Sequence, residues 1–176
     1  MNRFSLLAVV ALHFFGAQLV IGAQTKESPD FFKTWKVADV PGVQGAWINP
    51  ELNGHMLIQV DNETEKPLSL TGASTQDIAS GISAIRRLTL EHLGFTHWTL
   101  VKCAYHVEKG VEKFDMEGTY VRPDKVLIHF VERESFYQKH YRQVSYLAEG
   151  TGAPFIEAKA KAALTDLERK IGPVKQ

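Results

Sequence analysis

The side chains with which this chain could do chemistry are few and scattered. It has seven histidines. His13 lies in an apolar leader, which leaves His55, His92, His97, His106, His129 and His140. No two of these stand at a spacing such as His-x-Glu-x-x-His, which would set two imidazoles on one helical face for a metal ion. A lone histidine in a strand, such as His129, is a satisfied structural residue in most proteins. The single cysteine, Cys103, sits in an alternating apolar stretch with Val101 and Tyr105 on the same expected face. Burial raises a thiol's pKa and blunts its reactivity, so Cys103 is expected to be a small buried hydrophobe. No Gly-x-Ser-x-Gly elbow is present. Gly150 and Gly152 precede a helix but lack the Lys-Ser or Lys-Thr pair of a phosphate loop. No catalytic residue, metal site or cofactor is therefore assigned.

The remaining chemistry is that of recognition. The stretch Glu132 to Arg142 mixes aromatic rings with charges of both signs. Rings contribute contact area and arginines contribute directed hydrogen bonds, so such segments suit interfaces. Arg133, Phe136, Tyr137, Tyr141 and Arg142 are the candidate binding residues, placed in a connection between two strands. The competing reading, that Phe136 and Tyr137 tuck into the edge of the core, stays open here.

Length and charge bound what these residues can serve. The chain has 176 residues, with 20 basic and 20 acidic side chains and no net charge. A nucleic-acid surface would show a basic excess or stripe, and there is none. From Phe4 to Ala23 the sequence is almost wholly apolar, with Arg3 before it and Ile21-Gly22-Ala23 at its end. That is the pattern of a secretory signal peptide cut after Ala23, and no membrane association is expected once it is removed. The expected organisation is a signal peptide over 1–23, a flexible lead-in over 24–40 and one domain over 41–172. Asn62-Glu63-Thr64 is a glycosylation sequon, which would matter in a secreted eukaryotic protein. A single cysteine excludes an internal disulfide, so the exported domain must stand on packing.

The elements that must carry these residues centre on a helix over Gln76 to Leu93. Its apolar stripe is Ile78, Ile82, Ile85, Leu88 or Thr89, and Leu93, at the helical spacing of three and four. Arg86 and Arg87 are expected on its solvent side. Ser74 with Asp77 forms a capping box, and Gly94 with Phe95 provides the left-handed stop. Phe31, Phe32, Trp35 and Val37 should cover an end of the core. Gly45 to Ile48 and His55 to Val60 read as strands around an Asn-Gly turn. After the helix come strands at Trp98 to Val107, Val111 to Val121, Val126 to Val131 and Tyr141 to Ala148. The second alternates cleanly, with Phe114, Met116, Gly118 and Tyr120 against Lys113, Asp115, Glu117 and Thr119. A last helix, Phe155 to Ile171, stops at Gly172-Pro173. The order β-β-α-β-β-β-β-α gives an α+β domain: an antiparallel meander of about six strands, covered by two amphipathic helices.

This order resembles the PsbP/Mog1-like fold family. The resemblance rests on Trp47 in an early strand pair, a helix before the meander, Glu117-Gly118-Thr119-Tyr120 in the second meander strand, Tyr141 to Tyr146 in the last, and a closing helix. It spans most of residues 40 to 171. It implies a binding or scaffold module rather than an enzyme, and it transfers no functional residue. Cystatin-like and nuclear-transport-factor-like scaffolds, with their main helix nearer the start, rank second. The expected protein is thus an exported binding or assembly module, whose partner is a protein or a small-molecule ligand. The alternative is a small secreted hydrolase or thiol enzyme.

Overall fold

The structure is a computed structural model that describes residues 33–63, 72–92 and 94–174. The expected cleavage after Ala23, and the apolar residues Phe31, Phe32 and Leu93, lie outside the described residues. Among those described, the strands are β1 (Lys36–Val37), β2 (Gly45–Ile48), β3 (His55–Glu63), β4 (Thr96–Glu108), β5 (Val111–Val121), β6 (Leu127–Tyr137) and β7 (His140–Glu149), and the helices are α1 (Thr75–His92) and α2 (Glu157–Ile171). They form an α+β fold. One antiparallel sheet of seven strands runs in the order β1-β2-β3-β7-β6-β5-β4. The meander β4 to β7 is as expected, and β3 adds to its far side against β7. Among the described residues no helix is long and apolar enough to cross a membrane.

The sheet begins earlier than expected. Trp35 is buried in the core, and Lys36 and Val37 pair with Ile48 and Trp47 inside the stretch assigned to a flexible lead-in. A two-residue strand has no periodicity to detect, but the buried indole anchors it. Val37 is half exposed.

Each helix covers one face of the sheet. Over one face, α2 packs Ala160, Leu164 and Leu167 onto Leu57, Val131, Val144 and Tyr146. Over the other, α1 packs Ile78 and Ile82 onto Phe114, Met116 and Phe130. The start of α1 is capped as expected. Asp77 donates its backbone N–H to Ser74 Oγ at 3.1 Å, and Ser74 Oγ–H donates to the Asp77 carboxylate at 2.6 Å. At its end, Gly94 takes φ 81°. Gly94 N–H and Phe95 N–H return to the carbonyls of Glu91 and Leu90, the paired bonds of a Schellman turn. Between the ends the buried stripe differs from the expected one. It runs Ile78, Ile82, Arg86, Leu90 in steps of four, while Leu88 is 64% exposed. Arg86, expected in solvent, is inside.

Two further corrections concern strand phase and length. Leu100 pairs with Gly118 and Lys102 with Glu117, so one extra residue, Val101, is inserted in β4. This β-bulge turns Val101 outward at 58% exposure, while Leu100, Cys103 and Tyr105 pack on the α1 face. Val101 and Cys103 therefore do not share a face. Gly118 opposite the irregularity has no room for a side chain. A Cβ there would lie 2.2 Å from the Thr99 carbonyl oxygen and 2.7 Å from the Phe130 ring.

The second correction is that residues 132–140 are not a connection. They belong to a hairpin in which β6 runs to Tyr137 and pairs with His140, and Gln138 (φ 52°) and Lys139 make the turn. The polar run hid the strand because two of its acidic side chains point inward.

Candidate functional site

Those inward acids, Glu132 and Glu134, lie two apart on β6 and so share the α1 face. Each would be costly to bury alone. Arg86 offsets that cost: its Nη2 donates to Glu132 Oε1 at 2.5 Å and to Glu134 Oε1 at 2.6 Å, with all three side chains buried. The neighbouring strand completes the network. Glu132 lies opposite Ser145 in the β6–β7 register, and Glu134 opposite Gln143. Glu132 Oε2 accepts from Gln143 Nε2 at 2.6 Å and from Ser145 Oγ at 2.9 Å. The Tyr141 hydroxyl donates to Gln143 Oε1 at 3.0 Å.

The charges respond to this setting. Burial alone would lower the pKa of Arg86, but the attraction of Glu132 and Glu134 overcomes it and holds the guanidinium charged. Burial pushes the Glu134 carboxyl up to about 8, against the pull of Arg86 and with the repulsion of Glu132. Burial thus favours the protonated form of Glu134, which lessens the negative charge facing Arg86. Burial also raises the Tyr141 and Tyr120 phenols, so both stay protonated.

Beside this trio a cleft of about 420 Å³ opens between the C-terminal half of α1 and the β2–β3 turn. Its base is the α1 face of the sheet: Met56 and Ile58 from β3, Ile128 and Phe130 from β6, Leu147 from β7. Arg86, Leu90, Phe95 and Trp98 form one wall, and Val40, Ile48, Asn49 and Pro50 the other. Trp98 stacks on Phe130 with ring centroids 4.8 Å apart, and on Tyr120 at 6.4 Å. Glu132 and Arg86 stand at its polar end. Arg122 and Glu149, paired at 2.5 Å, also border it. The volume is that of a small-molecule site, with mostly apolar walls and a few placed polar groups.

Two donors at this cleft are unused. Arg86 gives its carboxylates only Nη2, and Arg86 Nε and Trp98 Nε1 are buried with no hydrogen-bond partner among the described residues. Glu134 Oε2 is likewise without one. Most buried polar groups in folded proteins are satisfied, so such orphans call for an explanation.

The residues expected to bind are spread over the sheet rather than gathered at the cleft. Phe136 and Tyr141 are interior, 5% and 1% exposed, with ring centroids 4.9 Å apart. Tyr137 is half-buried near the hairpin turn. Arg133 lies on the opposite face, paired with Glu168 at 2.6 Å and Asp115 at 3.1 Å. Arg142 pairs with Asp61 at 2.6 Å and donates to the Gly172 carbonyl at 2.6 Å. Both arginines tie α2 or its end to the sheet. None of the five borders the cleft.

The other candidates have structural partners. His55 Nε2 is 2.7 Å from the Ala153 carbonyl, which can only accept, so that nitrogen carries the proton and Nδ1 accepts from the Tyr146 hydroxyl at 2.5 Å. His129 stacks on Phe155 at 5.1 Å. Cys103 is half-buried, and burial followed by the nearby Glu134 and Asp115 raises its thiol pKa, which opposes the thiolate a nucleophile needs. It does not border the cleft. Among the described residues no group of three or more His, Cys, Asp or Glu could hold a metal ion.

Arg86, Trp98 and Tyr120 are not candidate site residues from the sequence, and Glu132 enters there only as the start of the recognition stretch. One signal was present: Arg86 is four residues beyond Ile82, on the same helical stripe, and Glu132 and Glu134 interrupt an apolar strand with the period of its inward face.

No family model matches this chain, and no curated protein matches it. Solved structures do. The solution structure of PsbP from the cyanobacterium Synechocystis sp. PCC 6803 aligns with TM-score 0.50 and 12% identity, covering 88% of this chain and 96% of that one. A Pseudomonas aeruginosa protein of unknown function aligns with TM-score 0.41 and 10% identity, covering 91% and 100%. The PsbP-like resemblance is one of fold.

Proposed function

We propose that this chain is a non-catalytic binding protein that acts outside the cytoplasm and holds a small molecule in the cleft between α1 and the sheet. Export is supported by the apolar leader ending at Ala23. The observation that carries the binding reading is the cleft itself, about 420 Å³ with aromatic and aliphatic walls and a charge-compensated polar end. A set of hydrogen bonds that already balances Arg86 against two acids is suited to orienting a bound molecule. The hydroxyl it sets on a carboxylate, that of Ser145 on Glu132, is fully buried and does not border the cleft, whereas covalent catalysis requires a nucleophile that faces the substrate. Glu132 alone of the Glu132 to Arg142 segment borders this site, so the recognition role proposed here falls to that end of the segment and not to its rings.

The test is native mass spectrometry of the full chain recovered from the extracytoplasmic fraction of an expressing cell, followed by solvent extraction. A non-covalent small molecule that leaves on extraction, and a mature chain beginning at Gln24, are the expected results. A chain that carries no ligand and shows no thermal shift with any member of a fragment library would refute the binding reading. An uncut chain held in the membrane would refute export.

A further inference from the structure

The cleft's polar atoms specify more than the presence of a ligand. Arg86 and Trp98 border it from α1 and β4, and each keeps one buried N–H with no acceptor among the described residues. Guanidinium and indole nitrogens donate and never accept, so the missing partner is an oxygen or another acceptor. Arg86 is 7% exposed, so its orphan donor is withdrawn from bulk solvent.

The charge of that ligand follows from the surroundings. Arg86 is already faced by Glu132 and Glu134, and Glu149 also borders the cleft, opposed by Arg122. No positive charge is in surplus, and an anion would meet carboxylates at both ends. The remaining surface is apolar. Trp98, Phe130 and Tyr120 form a continuous run of stacked rings along it, against which another ring can lie.

Resting on the cleft reading above, we propose that the ligand is a neutral, mostly apolar aromatic molecule bearing a carbonyl-type oxygen, which accepts from Arg86 and Trp98. Fluorescence titration tests this with the ketone probe propionyl-dimethylamino-naphthalene, its analogue with the ketone reduced to a propyl chain, and anionic anilinonaphthalene sulfonate. The ketone should bind at least tenfold more tightly than the sulfonate. Trp98→Phe removes the N–H and also trims the stacking surface that both neutral probes use, so it should weaken the ketone roughly three- to tenfold more than it weakens the propyl analogue, the extra loss being the worth of one hydrogen bond. Met56→Trp, which places bulk into the cleft from β3, should abolish binding of both, with a thermal melt confirming that each variant is folded. Equal binding of ketone and sulfonate, or equal losses of ketone and propyl analogue in Trp98→Phe, overturns the proposed ligand class while the cleft reading stands. Failure of both neutral probes to bind, or binding that Met56→Trp leaves intact, overturns the cleft reading and the proposal with it.

Discussion

Arg86 Nη2 lies 2.5 Å from Glu132 Oε1, although the two residues are 46 positions apart in the chain. The contact joins α1 to β6, and through the other oxygen of Glu132 it reaches Gln143 and Ser145 on β7. It therefore ties the helix over one face to two central strands. It also sets the polar end of the cleft.

The energetic consequence is specific to Arg86. Removing one partner of a buried ion pair leaves an uncompensated charge and costs about 3–5 kcal/mol. Arg86→Ala should lose stability on that scale, while Arg87→Ala, on the exposed side of α1, should stay within about 0.5 kcal/mol. Replacing Arg86, Glu132 and Glu134 together with Met, Gln and Leu should recover much of the loss, since a buried ionic cluster is often no more stable than an apolar one. Urea melts of these variants check it. Equal effects at Arg86 and Arg87 would mean that the guanidinium is not buried.

The helix caps and the β5 alternation were legible because they are local. Ser74 finds Asp77 three residues away, and Phe114 to Tyr120 repeat with the period of a pleat. The site was not legible, because its defining contacts are non-local. Nothing within a few residues of Arg86 shows that it faces two acids on a strand yet to come. Glu132 and Glu134 broke the apolar pattern of β6, so its second half looked like a loop. The hairpin through Gln138 and Lys139 carries Phe136 and Tyr141 into the core, the reading left open for Phe136, and leaves Tyr137 half-buried.

The pH dependence of folding should carry the mark of Glu134. Its folded pKa is raised to about 8, above the ~4.3 of a free glutamate. Between those values the folded chain holds a proton that the unfolded chain has released. Stability therefore falls as pH rises through that window, by at most about 1.4 kcal/mol per pH unit for one proton. Glu134→Gln should flatten it. Urea melts at mildly acidic, neutral and mildly alkaline pH decide the matter, and a wild-type slope that the Gln variant reproduces would remove Glu134 from the explanation.

Burial of the hairpin rings has its own test. Phe136 packs edge-on against Phe114, with centroids 5.5 Å apart. Phe136→Ala should cost about 3–5 kcal/mol, similar to Phe114→Ala. Tyr137, half-buried at the turn, should cost clearly less. Thermal melts of the three single variants rank them. A mild Phe136→Ala phenotype would restore that ring to the surface.

The last prediction concerns the bulge in β4, which decides which residues of the edge strand face α1. Were the strand regular, Val101 and Cys103 would share a face and Leu100 would point away from both. With Val101 inserted, Leu100 and Cys103 both pack on the α1 side, and Val101 is 58% exposed. Leu100→Ala should then cost roughly 2 kcal/mol or more, the lower range for a packed leucine. Val101→Ala should stay within about 0.5 kcal/mol. Gly118→Ala probes the same irregularity from β5. Its new Cβ would collide with the Thr99 backbone carbonyl, which cannot swing aside as a side-chain tip can, so it should destabilise by about 1–3 kcal/mol. Denaturant melts of the three variants, beside native-state labelling of the half-buried Cys103 thiol, separate the two registers. A larger loss at Val101 than at Leu100, with Gly118→Ala tolerated, would show that β4 runs without the bulge.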